Sequence, residues 1–439
     1  MATTIKPTAP APAAAAAKSH TGPLIIIGSL FFIFGFVTWV NGTLIPYLKI
    51  ACELETDFQA FLVTFAFFIA YTVMAIPASY VLRATGYKKG MAIGLFIMAV
   101  GAILFVPAAQ SRNFGLFLVG LFIIGTGLTI LQTASNPYVT IIGPPESAAT
   151  RISVMGVANK IAGGLAVLIF GSLLLENADA QVAYFKTLDV AARNVELDKM
   201  ASKVILPYII IAGVLVVLAV TILFSTLPDI KEEGDAGDAP AVTDKQSVFA
   251  FPHLVLGVIA LFLYVGVEVI AGDTIINYGR SLGIPLDEAR HFTNWTLSAM
   301  LAGYLVGIFT IPKYLSQSKA LAICAVLGVL FTVGAMLTTG YASVAFIGAL
   351  GLANSLMWPA IFPLAIRGLG KFTKVGSALL IMAIAGGAIL PLVYGGLSDL
   401  WENTRLAYVI MIPCYFFILY YAVKGYQAGW KAQGSGFTG

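Results

Sequence analysis

The chain has 439 residues, 59% of them hydrophobic and only 10% charged. Soluble domains carry about 25% charged residues, so a water-soluble globule is excluded. The formal charge of +4 comes from basic residues scattered over short polar segments, which argues against a nucleic-acid partner.

In chain order, residues 1–21 read as a disordered, Pro/Ala-rich tail. Apolar runs of membrane length follow at about 22–47, 57–82, 90–109, 113–142, 150–175 and 204–224, then at 251–276, 291–312, 319–338, 341–366, 375–396 and 404–424. These twelve runs are numbered below as spans one to twelve. All must be helices, because an open sheet leaves backbone groups unpaired in lipid. The fold class is therefore an all-α polytopic membrane protein. The even number puts both termini on one side. With that side cytoplasmic, fifteen of the 25 Lys and Arg residues face it and nine face outward, which fits the positive-inside rule.

Two connections are long. Residues 176–203 carry mixed charge and suit a short amphipathic helix. Residues 225–250 are polar and rich in Gly, Ala and Asp, as a flexible linker is. This linker divides a first six-helix bundle, 22–224, from a second, 251–424, with a short tail at 425–439. The halves echo one another. Pro137 precedes Gly163 and Gly164 much as Pro359 precedes Gly386 and Gly387, which points to a duplicated unit.

Polar residues at hydrocarbon depth are costly and mark paths or cavities. Span one carries Asn41 beside Trp39, Thr38 and Thr43. Amides offer paired donors and acceptors to hydroxyls, and an indole covers the apolar face of a pyranose, so the set suits a sugar. The plainer reading is an amide bonded within its own bundle. Span four places Gln132 and Asn136 on one face before Pro137, and span ten repeats this with Asn354, Trp358 and Pro359. Span five carries Asn159 and Lys160. A lysine there either snorkels, pairs with a carboxylate or loses its proton. Span seven supplies the candidate carboxylates: Glu268, deep in an apolar run, and Asp273 near its outer end. Glu268 either pairs with Lys160 across the halves or titrates during transport, and with Asp273 or backbone oxygens it could instead help hold Na⁺. Asn277 and Tyr278 follow and either gate or line the cavity, while Trp295 of span eight serves as interfacial anchor or sugar platform. The turn RATGYKKG, with Arg83, Gly86, Lys88 and Lys89, is short and basic, as a gate between helices would be.

Other chemistries lack their signatures. No phosphate-binding loop is present, and three scattered histidines build neither a metal cluster nor a catalytic triad. No cofactor and no enzymatic activity are expected. Cys52, Cys324 and Cys414 show no paired spacing.

The stretches NGTLIPYLK (41–49), LQTASNPYVTIIGP (131–144), LFLYVGVEV (261–269) and MWPAIFPLAIRGLGKFTKVGSALLIMAIAGGAILP (357–391) resemble the fucose/glucose/galactose symporter family of the major facilitator superfamily. The resemblance covers about residues 22–424 and implies two six-helix bundles, alternating access and ion-coupled sugar uptake across the bacterial inner membrane. It also implies a protein working as a monomer in the bilayer. RATGYKKG resembles a degenerate form of the superfamily's gating motif. Asn159 matches the family's span-five sugar ligand. Proton-coupled fucose carriers place acids where this chain has Gly42 and Gln132, and that departure moves the coupling role onto Glu268 and Asp273, or onto Na⁺. It equally leaves open an uncoupled facilitator or exchanger. A transporter-like sensor is a more remote reading. The opening FGFVTWVNGTLIPYLKIACELE is similar to N-acetylglucosamine and glucose carriers, which implies a neutral hexose or N-acetylhexosamine as substrate.

Overall fold

The computed structural model describes residues 21–141, 148–225, 227, 247–311 and 314–429. Nearly all of the expected N-terminal tail, most of the expected linker and the end of the C-terminal tail lie outside the described residues.

Eleven helical stretches are long and apolar enough to cross a membrane. One of them, Asp57–Gln110, has 54 residues, far more than the ~20 a bilayer needs. It holds spans two and three, parted where Gly86 takes φ +77°, a conformation open to glycine at little cost. The crossings therefore number twelve, and every regular element among the described residues is helical. Large apolar side chains such as Phe224, Phe309 and Leu337 stand exposed around the bundle, as a lipid-facing surface requires. The 176–203 connection holds two helices where one was expected, Ala178–Phe185 and Val190–Ser202, the second capped by Asp189.

Lipid gives helices no hydrophobic reason to associate, so close packing through small residues must do it. The two halves use the same contacts. Spans one and five touch backbone to backbone: a Cβ on Gly35 would lie 1.9 Å from the Asn159 carbonyl oxygen. In the second half, a Cβ on Gly386 of span eleven would lie 1.7 Å from the Phe262 oxygen of span seven. Span four meets span two where a Cβ on Gly125 would be 2.3 Å from the Phe67 oxygen, and span ten meets span eight where one on Gly351 would be 2.0 Å from the Thr296 oxygen. First packs on fifth and second on fourth in each half, so the echo in the sequence is an echo in packing.

Among the described residues six spans are interrupted: span three at Leu104, span twelve by a 3-10 turn at Tyr408–Ile410, and four more as follows. Span one breaks between Trp39 and Asn41, span seven between Asp273 and Ile275, and span ten between Asn354 and Met357. Span eleven passes through a 3-10 turn at Ala383–Ala385. Non-helical backbone at membrane depth is tolerated where it is covered by protein or lines a cavity. Trp39, Asn41, Asp273 and Asn354 flank these breaks.

The end of the bundle away from the chain termini is clasped across the halves. The Asp399 carboxylate of span eleven accepts from the backbone N–H groups of Asp57 and Phe58, at 2.8 and 2.7 Å, and so caps the start of span two. The Asp57 carboxylate accepts from Lys49 at 2.5 Å, and from Asn277 Nδ2 and Ser398 Oγ at 2.9 Å each. Gly395 lets span eleven close on Phe61. Replacing Asp399 with Asn removes the charge and keeps the shape, and charge-assisted hydrogen bonds are about twice as strong as neutral ones. In a background with the three native cysteines changed to Ser, a cysteine at buried Phe61 is expected to react with a maleimide about tenfold faster once Asp399→Asn is added. An unchanged labelling rate would mean that the clasp does not hold this end shut.

Candidate functional site

Spans one, five and seven meet around one ion pair. Lys160 Nζ lies 3.0 Å from Glu268 Oε1, with side chains 8% and 12% exposed. The pair joins the two halves of the chain. Of the fates open to a lysine in span five, pairing with a carboxylate is the one adopted. The same ammonium sits 4.5 Å from the ring centroid of Trp39, a cation–π distance. Removing either charge would leave the other buried without compensation.

Trp39 is walled in. A Cβ on Gly163 of span five would lie 2.4 Å from its Cδ1, and one on Gly272 of span seven 2.3 Å from its Cζ3. The indole fills a slot cut by glycines from opposite halves, so in this conformation it locks the seam and leaves little surface for a sugar ring.

The amides divide into committed and uncommitted groups. Asn159 Nδ2 donates to the Phe31 carbonyl at 3.3 Å, and Gln132 Nε2 to Tyr71 Oη at 2.9 Å. Asn354, fully buried, accepts from Tyr415 Oη at 2.9 Å, but its Nδ2 has no hydrogen-bond partner among the described residues. Asn41 Nδ2, also buried, is equally without one. A buried amide N–H without a partner costs about 1–3 kcal/mol, so two of them beside helix breaks are donors held ready for an exchangeable acceptor. Asn136 lies in span four, but its side chain falls outside the described residues. Trp358 is half-buried and stacked on Phe362, with centroids 5.9 Å apart. Trp295 is 41% exposed at the bundle surface against Phe292.

Asp273 is 2% exposed and accepts from Thr64 Oγ1 of span two at 3.1 Å. Gly42 abuts it: a Cβ there would lie 3.3 Å from the Asp273 Cα. Asn277 belongs to the clasp, and Tyr278 bonds Ser343. In the basic turn, Lys88 Nζ donates to the Ser225 carbonyl at 2.6 Å, whereas Arg83 and Lys89 are exposed.

Several partners were not singled out from sequence. Tyr264 and Tyr304 place phenols near Glu268. Tyr264 precedes Glu268 by four residues on an apolar helix, a same-face signal available from sequence. Thr64, Tyr71 and Tyr415 carry no such signal, since threonine and tyrosine recur throughout the spans.

The ion pair predicts a stability pattern. Lys160→Met and Glu268→Met should each lower thermal stability in detergent by a few kcal/mol, and the double variant should recover most of the loss. A double variant as unstable as the summed singles would show that the pair is not coupled.

The sequence pattern of the Major Facilitator Superfamily matches residues 27–387. A glucose/galactose transporter of Brucella abortus biovar 1 (strain 9-941) is 36% identical over 413 residues, 93% of this chain and 95% of that protein. The L-fucose-proton symporter of Escherichia coli (strain K12) is 31% identical over 421 residues, 92% of this chain and 93% of that one. Among solved structures, the transporter FucP in the outward conformation superposes with a TM-score of 0.71 at 30% identity, covering 92% of this chain and 99% of its own. A D-xylose-proton symporter shares the fold at 16% identity, with a TM-score of 0.63. Matched by pattern over most of its length and by identity from end to end, the chain belongs to the Major Facilitator Superfamily, alongside its glucose/galactose transporters and fucose-proton symporters.

Proposed function

We propose that the protein is a secondary active importer of a neutral hexose, with glucose or galactose favoured, driven by proton symport through alternating access. The observation that carries this reading is the seam cluster: a buried ion pair joining the halves, flanked by helix breaks that hold uncommitted amide donors. Sugar hydroxyls are acceptors of the kind these donors need. The relatives support the substrate class, since their names specify glucose, galactose and L-fucose. They lend no support to N-acetylglucosamine, and the coupled ones are named proton symporters, so N-acetylhexosamines and Na⁺ drop out of the proposal.

On this reading Asn41, Gln132, Asn136, Asn159, Lys160 and Asn354 bind hydroxyls, and Trp39 or Trp358 covers the ring once the seam loosens. The proton is coupled within span seven, which supplies the acids Glu268 and Asp273, and Arg83, Gly86, Lys88 and Lys89 work the gate. Both termini and the 225–250 linker face the cytoplasm, the clasped end faces outward, and a single chain holds the whole pathway in the bacterial inner membrane. The absence of acids at Gly42 and Gln132 favours a second reading, an uncoupled facilitator.

Uptake of labelled glucose, galactose and fucose into proteoliposomes separates the two. With an inward gradient of one pH unit and one proton per sugar, accumulation should approach about tenfold, because a tenfold concentration ratio is ~1.4 kcal/mol. Equal filling with and without the gradient would favour the facilitator.

A further inference from the structure

Spans seven and five already commit one of the two acids. Glu268 and Asp273 are five residues apart on one helix, so they point about 140° away from each other. Glu268 faces span five and holds Lys160 at 3.0 Å. Asp273 faces span two and holds Thr64 at 3.1 Å. The first has a full counter-charge and the second has a neutral hydroxyl.

Among the described residues, the surroundings of Asp273 offer no cation. Span one brings Gly42 beside it, and span eight brings Thr293, whose hydroxyl is spent on the Gly272 carbonyl at 2.9 Å. The charged group acting on it along its own helix is Glu268, of like sign. One turn further along, Asn277 binds Asp57, whose charge is already met by Lys49. An ionised carboxylate sealed at 2% exposure with no cation is far costlier than a protonated one, so such a group holds a proton until water reaches it.

We infer that Asp273 is the residue that carries the transported proton, and that Glu268 stays the fixed partner of Lys160. This deepens the symport reading and rests on it for the direction of transport. The step balances simply. With the clasped end open, water meets the Asp273 carboxylate and a proton from the outside forms its O–H bond. Closure buries the neutral acid against Thr64 of the other half. Opening at the opposite end hydrates the acid again, the O–H bond breaks, and the proton passes to cytoplasmic water. Because Thr64 and Asp273 belong to different halves, the group that takes the proton also feels whether the halves have closed.

The test compares Asp273→Asn with wild type in proteoliposomes and in the infrared. Asn copies the neutral acid. Sugar exchange between equal pools should persist at about half the wild-type rate or better, while accumulation under the pH gradient and sugar-linked proton uptake disappear. The carbonyl stretch of a protonated carboxylic acid should be lost from the variant's spectrum. Accumulation at the wild-type level in Asp273→Asn would overturn the assignment. If that variant does not fold, Thr64→Val serves. Losing a donor to the carboxylate favours the protonated form, so the pH midpoint of uptake should move upward, and an unmoved midpoint would overturn the proposal. If wild type moves none of the three sugars under any gradient, the symport reading fails. The infrared difference then still decides whether Asp273 is protonated.

Discussion

The bond between Lys160 and Glu268 sets the terms for the rest of the molecule. Two charges withdrawn from water must find each other, and here they do so across the boundary between the two halves of the chain. The contact is therefore structural and conformational at once. It draws spans five and seven together, it holds an ammonium over Trp39, and it fixes where the indole must sit. The slot that receives the indole exists because Gly163 and Gly272 carry no side chain, and any larger residue at either position would collide with the ring. Charge, aromatic and glycine are one device contributed by both halves.

Around that device the halves are rigid for a different reason. Within each, first span meets fifth and second meets fourth at glycines, with backbone atoms in direct reach. Such contacts tolerate little change, because interiors are close-packed and respond to strain by moving as blocks. Between the halves, apolar packing such as Phe61 on Tyr394 and Gly395 is crossed by polar ties: the ion pair, the Asp57–Asp399 clasp, the Thr64 hydroxyl on the Asp273 carboxylate at 3.1 Å, and the Thr72 hydroxyl on the Met382 carbonyl at 2.9 Å. Stiff blocks joined by exchangeable polar ties are what rocking about a central site requires.

The architecture was legible because its signals are coarse and repeated. Span length follows from the cost of leaving backbone groups unpaired in hydrocarbon, and it recurs along the chain. Gly86 was harder. Its positive φ lets spans two and three meet at a kink with helix on either side, where the sequence shows only a short basic turn. At the site, the intramembrane polar residues could be picked out one by one, since each breaks an apolar pattern. Their partners were less accessible. The pairing of Lys160 with Glu268 follows from charge, but the bond from Thr64 to Asp273 depends on helix rotation, which a sequence of uniformly apolar spans does not encode. The enclosure of Trp39 is of the same kind. Its chemistry suits a sugar face, and only packing shows both of its edges taken by glycine backbones.

The clasp and the basic turns stand at opposite ends, and alternating access gives that placement a thermodynamic meaning. A carrier can visit both states only if the ties of one end are matched, within a few kcal/mol, by ties formed at the other. At the far end the Asp57 and Asp399 carboxylates are saturated by donors, so this conformation has spent its polar contacts there. At the other end, Arg83 and Lys89 project into the exposed surface and Lys88 is satisfied by the Ser225 carbonyl just past span six. On the proposed reading these cations are the reserve from which the opposite closure is built. A sugar that bridges the Asn41 and Asn354 amides would shift the balance, since it satisfies donors on both halves at once and stabilises the states in which they approach. The protonation of a cross-half acid would act in the same direction, because a neutral Asp273 can be buried where an ionised one resists it.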